Sequence, residues 1–316
     1  MKINKKFLQT IAAFQILIFH LWMPLTGSVA EQFIIKTGYM GVDLFFFVSA
    51  YSLAGREIDY RQFIKSRWLV LYGQFAFFVV LSSVVKQSFD AGQIIKSLTF
   101  VDLFERGGGA FLWFIPAILI MYLLYPLFLK WKQPWKVPIV LAVWIAAELF
   151  LYKVFSYSSI FIFTNRIPVI LTGYIMSKKQ PPAWTAGLLI PLSIVLMYTW
   201  GFTVKLNVPV RDMFYVLAIP AVIALAIISR YIRRLRLLDI LGGATLELYA
   251  LQMIFGGRLF FSIYSVIKYP WLVNMLVILA MYAGATLLNG AYRAARGLIK
   301  RASSSLFKGL CVRRHH

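Results

Sequence analysis

Ten apolar stretches of membrane-spanning length recur along these 316 residues, at roughly 7–25, 39–55, 68–85, 111–129, 137–155, 160–177, 184–202, 213–229, 240–267 and 271–292. A hydrocarbon core of about 30 Å takes roughly 20 residues of helix to cross. No water reaches the backbone there, so each segment must satisfy its own N–H and C=O groups, and on this pattern only helices do so. Composition agrees, with 61% hydrophobic and only 14% charged residues, where a soluble domain has about a quarter charged. The expected fold is therefore all-α, a polytopic integral membrane bundle of about ten transmembrane helices. No soluble domain fits between them. Residues 1–298 read as one transmembrane domain and 299–316 as a basic tail. The longest connection, about 86–110, contains "ERGGGA" and reads as a flexible turn into the fourth helix.

A net charge of +22 would suit a nucleic-acid binder, but its placement argues otherwise. The basic residues sit in short clusters between apolar runs, with no basic stripe of their own. With the N-terminus inside, 23 of the 33 Lys and Arg residues fall on one side in every loop. Both termini are accordingly expected in the cytoplasm of a multi-pass cell-membrane protein, with membrane lipids and not nucleic acid as its surroundings. Cys311 is the single cysteine and cannot form an internal disulfide; it reads as an inert tail thiol in preference to a palmitoylation site. Lys2, Lys5 and Lys6 precede an apolar run ending in "GSVAEQ", and Ser28-Val29-Ala30 resembles a signal-peptidase site. The run is about 19 residues, longer than a signal h-region, and carries Gln15 and His20. An uncleaved first helix is expected. No internal repeat is evident, which weighs against a repeat-built transporter.

His20 is the feature such a segment does not need for crossing lipid, and ionisable groups there are candidates for function. In this orientation it lies in the outer half of the first helix, at a depth comparable to Asp43 in "GYMGVDLFFFVSAY". An Asp beside a His can fix its tautomer and stabilise the imidazolium, which makes a general base available. A structural hydrogen bond between two helices explains the same spacing. At the inner face, "DYRQFIKSRWLVLY" carries Arg61, Lys65 and Arg67. Arg61 and Lys65 share a helix face. The group suits a phosphate, and ordinary inside-positive charge accounts for it as well. Glu148, Arg166, Glu247 and Arg258 are further intramembrane charges that will not face lipid uncompensated. Trp113 and Phe114 read as interfacial anchors or, more sharply, as a sugar-stacking platform. "GGG" at 107–109 lacks the strand and Lys-Ser/Thr of a phosphate loop, and Gly242-Gly243 and Gly256-Gly257 read as sites of close helix packing.

The helix-1 histidine is followed in order by "GVDLFFFVSAYSL", "KSRWLVLY", "FLWFIPAILIMYLLYPLF", "RIPVILTGYIM" and "LGGATLELYALQMIF". Over about residues 7–290 this succession resembles the acyltransferase-3 family of integral membrane acyltransferases. The resemblance implies a ten-helix core that takes an acyl group, usually acetyl, from cytoplasmic acyl-CoA. The group is delivered to a hydroxyl of a saccharide or lipid-linked glycan on the outer side, and no metal is implied. The family's essential histidine matches His20, which would accept the hydroxyl proton. Its R-x-R pair matches Lys65-Ser66-Arg67, which with Arg61 would hold the CoA phosphates. Its F-F-x-x-S-G element matches Phe46-Phe47-Val48-Ser49-Ala50 and makes Ser49 a substrate-binding candidate. Asp43 would orient the imidazole, and Arg166, in a matching segment, would meet the acceptor or the tetrahedral oxyanion. Three positions depart from the pattern: Ala50 replaces a glycine, Gln252 stands where many members have a second histidine, and Lys65 replaces an arginine, losing bidentate recognition but keeping the charge.

Two rival readings come from other classes. A proton-coupled carrier or flippase for a lipid-linked saccharide would use His20 and Asp43 as a relay and need no acyl-CoA. A non-catalytic scaffold would tolerate replacement of His20, Lys65 and Arg67.

Overall fold

The computed structural model describes residues 2–155, 159, 161–199 and 213–312, and among these every regular element is helical. In chain order the elements are α1 (Lys5–Leu21), α2 (Val29–Thr37), α3 (Met40–Ala54), α4 (Tyr60–Val85), α5 (Ala91–Leu98), α6 (Val101–Arg106) and α7 (Phe114–Lys130). They continue with α8 (Lys136–Phe155), α9 (Ile167–Lys178), α10 (Thr185–Tyr198), α11 (Ile219–Ser229), α12 (Arg236–Leu241), α13 (Thr245–Val266) and α14 (Pro270–Val312). Helix occupies part of each of the ten apolar segments. The segment ends at 160 and 200–202, along with His315 and His316, lie outside the described residues.

Four spans are long and apolar enough to cross a membrane on those grounds alone: Val29–Ala54, Tyr60–Val85, Thr245–Val266 and Pro270–Gly297. Phe114–Lys130, Thr185–Tyr198 and Val216–Ser229 are shorter apolar helices. The first span joins α2 to α3 and so begins about ten residues before the segment expected at 39–55. The 86–110 connection also differs from the flexible turn expected of it. It folds into α5 and α6, with Asp90 capping α5 by accepting from Gln93 N at 3.1 Å. The Gly107–Gly109 turn then packs on Ser159.

Helix α3 is the centre of the bundle, packed against α1 on one side and α9 on another. It is apolar nearly all round, with Leu44, Phe46, Phe47 and Ala50 fully buried. Lipid tails are as apolar as these side chains, so no hydrophobic force drives helices together in a membrane, and close backbone approach supplies dispersion contact instead. Gly41 of α3 lies directly on the Ala12 carbonyl of α1. Gly173 of α9 lies so near α3 that an added Cβ would sit 2.7 Å from the Phe47 carbonyl oxygen. These two contacts lock opposite faces of α3, and that arrangement decides which of its residues meets which neighbour.

Candidate active site

His20 is the penultimate residue of α1, with an exposed side chain set edge-on to Phe19 at 5.0 Å between ring centroids. The helix stops after Leu21 because Trp22 turns extended, at φ −81° and ψ 127°. The reversal that follows is held by one carboxylate. Glu31 Oε1 accepts from Leu25 N at 2.6 Å and Trp22 Nε1 at 3.1 Å, and Oε2 accepts from Thr26 N at 2.8 Å and Gly27 N at 2.9 Å. Ser28, the residue of the signal-peptidase-like triplet, caps α2 by accepting from Glu31 N at 3.3 Å. Buried Asn274 of α14 clasps the same reversal, its Oδ1 accepting from Met23 N and its Nδ2 donating to Met23 O, both at 2.8 Å. The end of α1 is thus fixed by Glu31 and Asn274, two residues to which no motif pointed.

Asp43 does not meet His20 among the described residues. Its Oδ1 accepts from Arg166 Nη1 at 2.7 Å, and both side chains are only 1% exposed. Helical geometry explains the choice. Gly41, which faces α1, precedes Asp43 by two residues, or about 200° of rotation. Asp43, Phe47 and Ala50 follow one another at i, i+4 and i+7 and share the face that carries α9. Arg166 immediately precedes α9, so the pair ties the first turn of α3 to the start of α9. Asp43 also sits where the α3 macrodipole favours negative charge. The expected Asp43–His20 pair is replaced by an Asp43–Arg166 pair at the same end of the bundle.

The last turn of α1 packs against α13. This helix opens into a π turn over Gln252–Gly256, a distortion found frequently at functional sites. Gly256 of the turn abuts Leu21, with an added Cβ falling 2.8 Å from its Cδ1. Gln252, where the resemblance had led to expect histidine, is buried there, and neither its Oε1 nor its Nε2 has a hydrogen-bond partner among the described residues. The same holds for the Tyr249 hydroxyl one turn earlier and for Gln15 Oε1 of α1. Each unmet group costs about 1–3 kcal/mol, so this interior suits polar occupants. Tyr249 sits unmarked inside "LGGATLELYALQMIF", and Gln15 stands out in the sequence only as a residue not needed for crossing lipid. Phe114 packs edge-on to Tyr249 at 5.8 Å and against Phe45 and Phe46 at 5.4 Å each. Trp113, next to it, is half-buried and edge-on to Phe114 at 6.4 Å.

The basic segment lies at the other end. Asp59 caps α4 by accepting from Arg61 N at 3.0 Å, and a second π turn, Ile64–Trp68, carries Lys65, Ser66 and Arg67. Tyr60 and Trp68 hold this turn to α7 by donating to the carbonyls of Leu123 (3.4 Å) and Leu119 (3.0 Å). Arg61, Lys65 and Arg67 are left exposed. Arg67 lines a cavity of about 470 Å³ with Ser66, Gln74 and Tyr122, and the Tyr122 hydroxyl donates to Ser49 Oγ at 3.4 Å. Ser49 is therefore brought towards Arg67 and away from His20. Lys5, at the start of α1, is near enough to Arg67 for their charges to repel. Fifteen residues of α1 separate Lys5 from His20, and at 1.5 Å each that is about 22 Å.

One family model matches the chain, that of Acyl_transf_3, described as an acyltransferase domain, over residues 6–290. No curated protein and no solved structure matches it.

Proposed function

The chain belongs to the acyltransferase-3 family, and on that premise we propose that it moves an acyl group, acetyl in the simplest case, from acyl-CoA to a hydroxyl of a saccharide or lipid-linked glycan across the membrane. The observation that carries this reading is the polarity of α1. One end presents an imidazole, and the other lies among cations suited to phosphates, about 22 Å away. The donor's phosphates would rest at the basic end, on Lys65 and Arg67 with Arg61 nearby, and its arm would run along α1 towards His20. About ten helices would cross the membrane, with both termini cytoplasmic and residues 299–316 as a basic tail.

His20 acts as general base in this reading. Its free ring nitrogen takes the proton of the acceptor hydroxyl as the oxygen attacks the thioester carbon. The tetrahedral oxyanion collapses, the carbon–sulfur bond breaks, and the leaving thiolate recovers the proton from the imidazolium as CoA thiol. The balance needs no metal and no redox partner. The unmet polar atoms of Gln252, Tyr249 and Gln15 offer hydrogen bonds to the substrates near this point. Asp43 and Arg166 pair with each other, so in this reading their part is to hold α3 and α9 in place. Trp113 and its aromatic neighbours would border the acceptor.

Acyl-CoA turnover and binding by the purified protein test this. His20→Ala is expected to bind acyl-CoA as the unaltered chain does and to lose roughly 10²–10⁴-fold in turnover. Full turnover by His20→Ala removes the histidine from the mechanism.

A further inference from the structure

A second basic site, lined by other residues, lies beside the segment of Lys65 and Arg67. A cavity of about 540 Å³ opens between the residues leading into α1, the inner part of α3 and the segment after α11. Five cations line it: Lys2, Lys5, Lys6, Arg230 and Arg234. No carboxylate lines it, and among the described residues none of the five is in an ion pair. The bonds they make go to neutral acceptors. Lys6 Nζ donates to Gly242 O at 3.0 Å, and Arg230 donates to Gln180 Oε1 at 3.2 Å and to Pro181 O at 3.0 Å.

The inside-positive rule explains why cations lie on this side of the bundle. It does not explain why they converge on one concavity. The convergence is unfavourable as it stands, because Lys5 is repelled by Arg56, Lys2 and Arg67. Lys5 and Lys6 also occupy the first turn of α1, which contains no acidic residue and where the macrodipole is positive. The walls are nonetheless stapled together. Asn4 N donates to Ser229 Oγ at 3.3 Å, Asn4 Nδ2 donates to Ile232 O at 3.2 Å, and Ser229 is fully buried. A built concavity of like charge is a receptor for the opposite charge, and its volume lies in the ordinary range of ligand sites, roughly 300–1,000 Å³.

We propose that this cavity is a phosphate-binding site, with Lys2, Lys5 and Arg234 as the charges left to meet a phosphate ester. Two sources carry that chemistry: the phosphates of the acyl-CoA donor, in which case the inference deepens the proposed function and rests on it, or the headgroup of an anionic lipid.

The test compares the full chain with Lys2→Gln/Lys5→Gln/Arg234→Gln, in nanodiscs of phosphatidylcholine alone and of phosphatidylcholine with phosphatidylglycerol. CoA and inorganic pyrophosphate are titrated into both proteins, and phosphatidylglycerol retained after purification is measured. Unchanged thermal unfolding of the triple variant shows that it folds. If the donor is the source, CoA binding weakens by about tenfold or more in the triple variant, and pyrophosphate competes only in the unaltered chain. If lipid is the source, retained phosphatidylglycerol falls in the variant and CoA affinity does not; the phosphate site then stands with a lipid occupant. Equal CoA affinity and equal lipid retention overturn the site while leaving the donor reading intact. Absence of CoA binding by the unaltered chain refutes the donor reading, and lipid retention alone then decides the site.

Discussion

Neutralising Asp43 separates the arrangement seen here from the one its neighbourhood in the chain suggests. Asp43→Asn leaves the Arg166 guanidinium, itself 1% exposed, facing a neutral amide at the 2.7 Å contact. Removing one partner of such a buried pair costs about 3–5 kcal/mol, because a charge is left uncompensated. Arg166→Gln should cost a similar amount. The double variant removes both charges and is expected to be less damaged than the sum of the two, with a coupling above about 2 kcal/mol. Neutral hydrogen bonds between membrane helices couple by only about 0.6 kcal/mol on average, so a value of that size identifies the charges as the source. Unfolding of the four proteins in mixed SDS micelles, followed by circular dichroism, supplies the cycle. Additive costs would refute the pairing. A turnover loss in Asp43→Asn that Arg166→Gln leaves unchanged would instead return Asp43 to the service of His20.

Three further outcomes follow from particular contacts. Gly173→Ala places a methyl group 2.7 Å from the Phe47 carbonyl oxygen, so α3 and α9 must part; a loss of about 1–3 kcal/mol should appear in thermal unfolding. Asn274→Leu deprives both the N–H and the C=O of Met23 of their partner; turnover should fall through a looser His20 while acyl-CoA affinity holds, and equal losses in both would count against a positioning role. In the 91–110 connection, burial pushes the Asp102 carboxyl up, but hydrogen bonds from Arg106 and Gln93 outweigh it and hold the group below its usual range. A depressed folded value gives stability that is present above the unfolded value of about 3.9 and is lost as pH falls through the folded one. Hydrogen exchange over residues 91–110 should therefore be independent of this group from pH 5 to 8 and quicken only under stronger acid; loss of protection already at pH 5 would refute it.

The apolar helices, four of them long and apolar enough to span on those grounds alone, were legible because lipid imposes one rule on every backbone group, and the rule is written in residue type. Breaks within the segments were less so. Gly256, within a glycine pair that already pointed to close packing, does press α13 on α1, but Gly38 carries no such signal and yet lies directly on the Gln15 carbonyl of α1. The partner of Asp43 could not be read, since α3 is apolar on all sides and periodicity gives such a helix no direction. Its face became apparent only with Gly41 and Gly173 in place. The basic segment was readable by charge and order, but the cavity beside it brings together Lys2 and Arg234, more than 200 residues apart in the chain, and no local pattern joins them. Fold into α5 and α6 at 91–106 was hidden by polar residues that cap short helices as readily as they fill loops.

The Glu31 clasp sets an uneven tolerance to change around the histidine. At Leu25 the carboxylate takes a main-chain N–H, which any residue but proline provides, so the side chain there is free to vary as far as this contact is concerned. Gly27 donates in the same way, but its φ of +67° narrows the choice to residues that accept left-handed backbone. At Glu31 glutamine matches the reach but offers a single acceptor oxygen, whereas the carboxylate serves five donors through two. A library randomised over Trp22–Glu31 should accordingly return survivors rich in variety at position 25, few at 27, and almost uniform at 31.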